Sequence, residues 1–265
     1  MVKTISSLQN PFIKQLIQLK EKSKLRKKTG LFVIEGKREL SLAIKGNYSI
    51  ETLYYYADLF SASEASSLEV YGIDVIEITK VVYEKIAHRE TTEGIIAVAK
   101  AKDLGLKNLE FKSKTPLILV AEAPEKPGNI GALLRTADAA NVDAIIISNP
   151  LTDLYNPNSI RSSVGGVFTV PIATGTTEEI INYLKQHDIS IYAAILQESV
   201  VYDSIDFKKA TAIVVGAEST GLSKEWRDAS TAKIRIPMQG KIDSMNVSVA
   251  AGILIFEAKR QRKFN

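Results

Sequence analysis

Four runs in the second half of the chain, at 117–121, 144–148, 189–195 and 212–215, are apolar and β-branched with almost no polar alternation. A strand with one solvated face alternates apolar and polar residues. A strand apolar on both faces is covered above and below, as in parallel sheets flanked by helices. Helical patterns intervene at 128–140 and 177–187. A last one spans 244–263, where Val247, Ala250, Ala251, Leu254, Ile255 and Ala258 mark one apolar face. These patterns predict an α/β domain built on a parallel sheet.

The first hundred residues predict a second α/β unit. Asn10 and Pro11 form an N-cap and N1 pair for a helix over 10–29, which Gly30 stops. Ile13, Leu16 and Leu19 give that helix an apolar stripe. Strands at 31–34, 50–56, 73–78 and 94–99 alternate with helices at 37–45, 62–71 and 81–88. A stretch with lysines at 100, 102, 107, 112 and 114 has little periodicity and suits a linker. The expected division is a first domain over 1–103, a linker over 104–115 and a second domain over 116–265; a chain of 265 residues accommodates both.

The chain has no cysteine, which excludes disulfides, thiolate catalysis and thiolate-bound metals. Its two histidines, His88 and His187, have no second ligand at metal-binding spacing, so no metal is expected. No run reaches membrane-spanning length and the first residues lack an apolar signal core; the expectation is a soluble, cytoplasmic protein. The net charge of +4 is unevenly spread. Lys14, Lys20, Lys22, Lys24, Arg26, Lys27 and Lys28 crowd one segment, and Lys259, Arg260, Arg262 and Lys263 another. Such clusters either track a phosphate backbone or form solvated helix faces.

Three turns join strand ends to helices: Lys126-Pro-Gly-Asn-Ile-Gly131 running on to Arg135, Gly216-Ala-Glu-Ser-Thr-Gly-Leu222, and Ile236-Pro-Met238 leading to Ser244-Met-Asn-Val-Ser248. Turns at strand ends present backbone N–H and C=O groups to a small ligand. Asn129 caps the following helix or offers its amide to a ligand, and Gly131 allows close backbone approach. Arg135 either pairs with Asp138 or aims its planar donor fork at a phosphate. The second turn fits a phosphate-binding loop except that Leu222 stands where the lysine belongs, so a nucleotide triphosphatase is rejected. Glu218 remains as a carboxylate at a strand end. Ser244 is a candidate N-cap for the last helix, with Asn246 in its first turn.

The motifs resemble those of the SpoU (TrmH-like) family of RNA ribose 2′-O-methyltransferases. The resemblance is carried by Pro127-Gly-Asn-Ile-Gly-Ala-Leu-Leu-Arg-Thr-Ala-Asp138, Val215-Gly-Ala-Glu-Ser-Thr-Gly-Leu222, and Ile236-Pro-Met with Ser244-Met-Asn-Val-Ser-Val-Ala-Ala251. Asp153-Leu-Tyr-Asn-Pro157 and Arg161-Ser-Ser-Val-Gly165 are similar to the segment between the first two motifs. Phe32-Val-Ile-Glu-Gly36 through Glu93-Gly-Ile-Ile-Ala-Val98 is similar to the family's L30e-like substrate-binding domain. Met245 departs from the usual leucine, at a position of mainly backbone and apolar contact.

The resemblance implies a SPOUT fold with a deep trefoil knot, S-adenosylmethionine as cofactor, a homodimer, and a structured RNA substrate, ribosomal RNA by the L30e-like domain with transfer RNA as the alternative. It places Leu196, Gly216, Gly221, Ile236, Met238, Met245 and Asn246 at the cofactor, and Arg135, Asn129, Glu218, Ser244 and Asn246 at the chemistry. Bland roles stand beside these: loop support for Glu218, helix capping for Ser244 and Asn246. Two rivals remain, an RNA-binding relative without chemistry and a SPOUT enzyme acting on a base nitrogen.

Overall fold

The computed structural model describes residues 3–88, 93–241 and 244–264. The chain divides into two compact units. One holds the residues up to 102 together with 155–161; the other holds 103–154 and the chain from 162 onward.

The first unit runs β1 (Lys3–Ile5), α1 (Pro11–Glu21), α2 (Ser23–Thr29), β2 (Leu31–Glu35), α3 (Lys37–Lys45), β3 (Ile50–Tyr55), α4 (Ala62–Ser67), β4 (Asp74–Ile78), α5 (Lys80–Ile86) and β5 (Ile95–Lys100). Its sheet has the order β1-β4-β3-β5-β2. β4 is parallel to β1 and β3, while β5 runs antiparallel to β3 and β2. Ile13, Leu16 and Leu19 of α1 pack on Val33, Tyr54, Ile76 and Ile96 of this sheet. Within the same unit the Tyr155 ring stacks on Phe32 with centroids 4.4 Å apart.

The Asn10 carboxamide oxygen accepts from the Phe12 amide at 2.9 Å and caps α1 as its residue type requires. The single helix expected over 10–29 is instead two. Lys22 is extended (φ −111°, ψ 102°), and the chain restarts as α2. Arg26 shows why the break is tolerated. Only 4% exposed, it donates through Nη1 to the Leu19 and Lys20 carbonyls at 2.6 and 3.1 Å. Those are last-turn carbonyls of α1, which a helix end leaves without backbone donors. Gly30 ends α2 at φ +66°, a left-handed conformation that glycine adopts without a Cβ clash.

The second unit carries β6 (Leu117–Glu122), α6 (Pro127–Ala139), β7 (Ala144–Ser148), β8 (Ile172–Gly175), α8 (Thr177–Gln186), β9 (Ser190–Ala194), β10 (Val200–Val201), β11 (Thr211–Val215), α9 (Lys224–Ala229), β12 (Ala232–Arg235) and α10 (Val247–Gln261); α7 (Pro157–Ser162) falls mostly in the first. Its seven strands lie in the order β10-β12-β9-β11-β6-β7-β8, and every pairing is parallel. All residues of β6, β7 and β11 are buried, the two-sided covering that their unbroken apolar runs predict. Among the described residues no helix is long and apolar enough to cross a membrane.

Part of the basic cluster at the end of the chain is taken up by the fold, while Lys263 stays exposed. Arg260 makes a forked pair with Glu257 at 2.7 and 2.8 Å. Arg262 donates to the Phe207, Thr115 and Lys209 carbonyls. Lys259 is buried. Arg262 thereby ties the end of α10 to the segments before β6 and β11.

Candidate active site

Because all strands of the second sheet run the same way, their carboxyl ends share one edge, where open parallel sheets place their ligands. The chain leaving β9, β11 and β12 at that edge lines a cavity of about 340 Å³ together with the start of α10. Leu196, Gly216, Glu218, Gly221, Ile236, Met238, Ser244 and Met245 all line it, drawn together from a span of fifty residues. Leu222, Ile234 and Leu254 give it an apolar floor and are buried. A small recess beside it, sharing Gly216, Glu218 and Val247, is lined by Asn129.

The turn after β11 is closed on itself. The Gly221 amide donates to the Ala217 carbonyl at 2.9 Å. Gly221 lies at φ +66°, and a Cβ on Gly216 would stand 2.3 Å from the Gly221 carbonyl carbon. Glycine is therefore required at both ends, at one for backbone angle and at the other for space.

Glu218 gathers the polar groups. Its Oε1 accepts from the side-chain amides of Asn129 and Asn246, each at 2.9 Å, and its Oε2 faces the Lys126 ammonium at 3.2 Å. The Asn246 amide also reaches Asn129 Oδ1 at 3.3 Å. Asn246 is itself the N-cap of α10, its Oδ1 accepting from the Ser248 amide at 2.9 Å. The capping role expected for Ser244 thus falls to Asn246, and α10 begins three residues later than its apolar pattern suggests. Asn129 is not a cap either. The N-cap of α6 is Lys126, without a side-chain bond, which leaves the Asn129 amide for Glu218.

One further expectation holds and another changes. Gly131 gives close approach to protein: a Cβ there would lie 1.8 Å from Ser162 Oγ and 2.7 Å from the Ser163 nitrogen. Arg135 is exposed, lines neither hollow, and among the described residues has no hydrogen-bond or ion-pair partner. The pairing with Asp138 does not form; Asp138 accepts instead from the Thr169 hydroxyl. Arg135 follows Asn129 by six residues, well short of two full turns, so the two project from different sides of α6.

Several contributors were not singled out from the sequence. Glu122, 6% exposed at the end of β6, accepts from Thr177 Oγ1 at 3.1 Å and from the Ser223 amide at 2.8 Å. A buried carboxylate needs such donors, and here they anchor the exit of the 216–222 turn. A carboxylate ending an unbroken apolar strand was its visible signal. Glu125, which accepts from the Ser219 hydroxyl at 2.9 Å, adjoins the first motif. Arg227 and Arg235 bring cations to the cavity wall.

With this geometry in view, comparison with known proteins is direct. Residues 116–256 match the SpoU rRNA Methylase family, and residues 10–97 match the MRM3-like substrate binding domain. The first match spans more than half the chain, and the chain belongs to the SpoU rRNA methylase family. It is similar to 23S rRNA (guanosine(2553)-2'-O)-methyltransferase RlmP of Bacillus subtilis, 27% identical over 97% of this chain and 100% of that one. It is also similar to 23S rRNA (guanosine-2'-O-)-methyltransferase RlmB of Vibrio vulnificus, 33% identical over 74% of this chain and 82% of the relative. A solved structure of an AdoMet-bound rRNA methyltransferase from Sinorhizobium meliloti superposes with a TM-score of 0.89 at 30% identity, covering 98% of each chain.

Proposed function

We propose that the protein transfers a methyl group from S-adenosylmethionine to a ribose 2′-hydroxyl of ribosomal RNA. The observation that carries this is the joining of Asn129, Glu218 and Asn246 beside the cavity at the strand ends. Family membership and the relatives' names support the same reaction.

The residues present fit the cofactor. A cavity of about 340 Å³ lies within the size range of small-molecule sites. Its walls carry both charge signs, Glu218 against Arg227 and Arg235, as a ligand with a sulfonium, an ammonium and a carboxylate requires. Its floor is apolar, and the glycines at 216 and 221 keep side chains away from the turn. When bound, S-adenosylmethionine supplies an electrophilic methyl for in-line displacement by an oxygen.

The chain's own groups hold and align. Leu196, Gly216, Ile236 and Met245 offer backbone and apolar surface from four separate segments, and Gly221 and Met238 complete that wall; Asn246, expected at the cofactor, does not line the cavity and stands beside it on Glu218. Asn246 spends its amide hydrogens on Glu218 and Asn129 and its oxygen on the Ser248 amide and hydroxyl, so Asn129 is held from both sides and its remaining amide hydrogen faces a fixed direction. Arg135 serves as a hydrogen-bond donor, the role its planar guanidinium fork suits. In this reading its free donors take the phosphate beside the target ribose and offset charge developing at O2′ as the hydroxyl proton leaves to phosphate or water.

The domain roles follow the same reading: residues 1–103 bind RNA, 104–115 connect, and 116–265 carry the reaction. The protein acts in the cytoplasm as a homodimer with a trefoil-knotted second domain. Val249 and Phe256, two turns apart on one side of α10, are 53% and 42% exposed, and this unpaired apolar side supports a second copy seated there. Calorimetric titration with S-adenosylmethionine tests the activity. One saturable site per chain is expected; absence of heat would favour an RNA-binding relative without chemistry.

A further inference from the structure

Seven cations crowd residues 14–28, and the fold spends two of them. Arg26 turns inward to the carbonyls that end α1. Lys20 pairs with Glu35 at 2.7 Å. The others are exposed, and among the described residues Lys24, Lys27 and Lys28 have no anionic partner. These three sit on α2 at spacings of three and four residues, which places them on one side of the helix, opposite the buried Arg26.

That arrangement is unfavourable for the isolated protein. Like charges three and four residues apart destabilise a helix. The helix dipole compensates Lys27 and Lys28 near the carboxyl end but opposes Lys24 in the first turn. Burial does not explain the three lysines, which are all exposed. The break at Lys22 and the Arg26 clamp fix the direction in which they project. A continuous α1 would have sent residues 23–29 elsewhere.

We infer that Lys24, Lys27 and Lys28 form a short cationic rail that holds the phosphate backbone of the RNA substrate. The inference rests on the proposed RNA methylation and names the part of the first unit that grips the nucleic acid. The rail reads no sequence: ammonium groups on flexible stems contact phosphates, and phosphate contacts set register rather than base identity. By contrast, Lys259, Arg260 and Arg262 are committed to protein partners and contribute nothing to this grip.

The test is equilibrium binding of the full-length protein to in vitro transcribed 23S rRNA across a salt series. The variants are the triple substitution Lys24→Gln, Lys27→Gln, Lys28→Gln and its counterpart with arginine at all three positions. The glutamine variant is expected to bind roughly tenfold more weakly near 0.1 M salt, with the slope of log K against log salt reduced by roughly two. The arginine variant should restore both, which separates charge from a folding defect. Unchanged S-adenosylmethionine affinity in the glutamine variant is the matching expectation. An unaltered salt slope overturns the inference. So does a glutamine variant that loses binding to phosphatidylglycerol vesicles while keeping its RNA affinity, since the rail then serves a membrane surface. A wild-type protein that binds RNA through these lysines but transfers no methyl would overturn the proposed function and leave the rail standing.

Discussion

The Asn246 side-chain amide donates to Glu218 Oε1 across 2.9 Å, joining the first residue before α10 to the turn after β11. Asn129 donates to the same oxygen from α6, so one carboxylate holds three segments that are remote in sequence. Glu218 thereby sets the relative position of the groups proposed to meet cofactor and substrate.

Replacing Glu218 by alanine releases two amides and the Lys126 ammonium at once. S-Adenosylmethionine affinity is expected to fall at least tenfold, and stability by only about 1 kcal/mol because the cluster is partly solvated. Calorimetric titration and urea denaturation measure the two effects. Unchanged affinity would mean that the carboxylate organises nothing.

The glycines of α6 make opposite predictions. Gly128 has open space where a Cβ would stand, and Gly131 does not. Gly128→Ala should leave stability unchanged or raised by up to about 1 kcal/mol, since alanine is the better helix former. Gly131→Ala must displace the Ser163 backbone and should cost about 1–3 kcal/mol. Thermal melts of the pair decide the matter; equal midpoints would contradict the packing described.

Among the described residues the Arg135 side chain has no partner to lose. Arg135→Ala is therefore expected to keep the wild-type melting temperature and cofactor affinity while methyl transfer drops a hundredfold or more, roughly the cost of losing one placed electrostatic donor. Single-turnover transfer beside a cofactor titration separates the two. Lost cofactor binding would place Arg135 in the wrong role.

One local pH effect follows from α4. The Ser61 hydroxyl, the Lys37 ammonium and the Ser61 backbone N–H hold the Glu64 carboxyl down at about 2, against an ordinary value of 4.5. A depressed carboxyl contributes stability that is present above its unfolded value and lost as pH falls through the folded one. The stability difference between wild type and Glu64→Gln should accordingly be constant above pH 4.5 and shrink toward pH 2. A difference that grows on acidification would refute the capping geometry.

The sheet of the second unit was legible because β6, β7 and β11 are covered on both faces and their runs show it. β1, β8, β10, α7 and α9 were not, being two to six residues long and shorter than any window in which a period can be counted. The break at Lys22 was hidden for another reason: it depends on where the Arg26 side chain goes, not on a poor helix former. The site residues were readable as turns, and their family pattern gave their order. Their mutual bonds were not readable. Asn129 has the composition of a cap, and only the position of Glu218, 89 residues further on, decides otherwise.

The most direct measurement incubates the purified protein with isotopically labelled S-adenosylmethionine and 23S rRNA, digests the RNA to nucleosides and identifies the labelled species by mass spectrometry. The account predicts label in a nucleoside methylated on its ribose 2′-oxygen. Label on a base nitrogen, or none above a Glu218→Ala control, would contradict it.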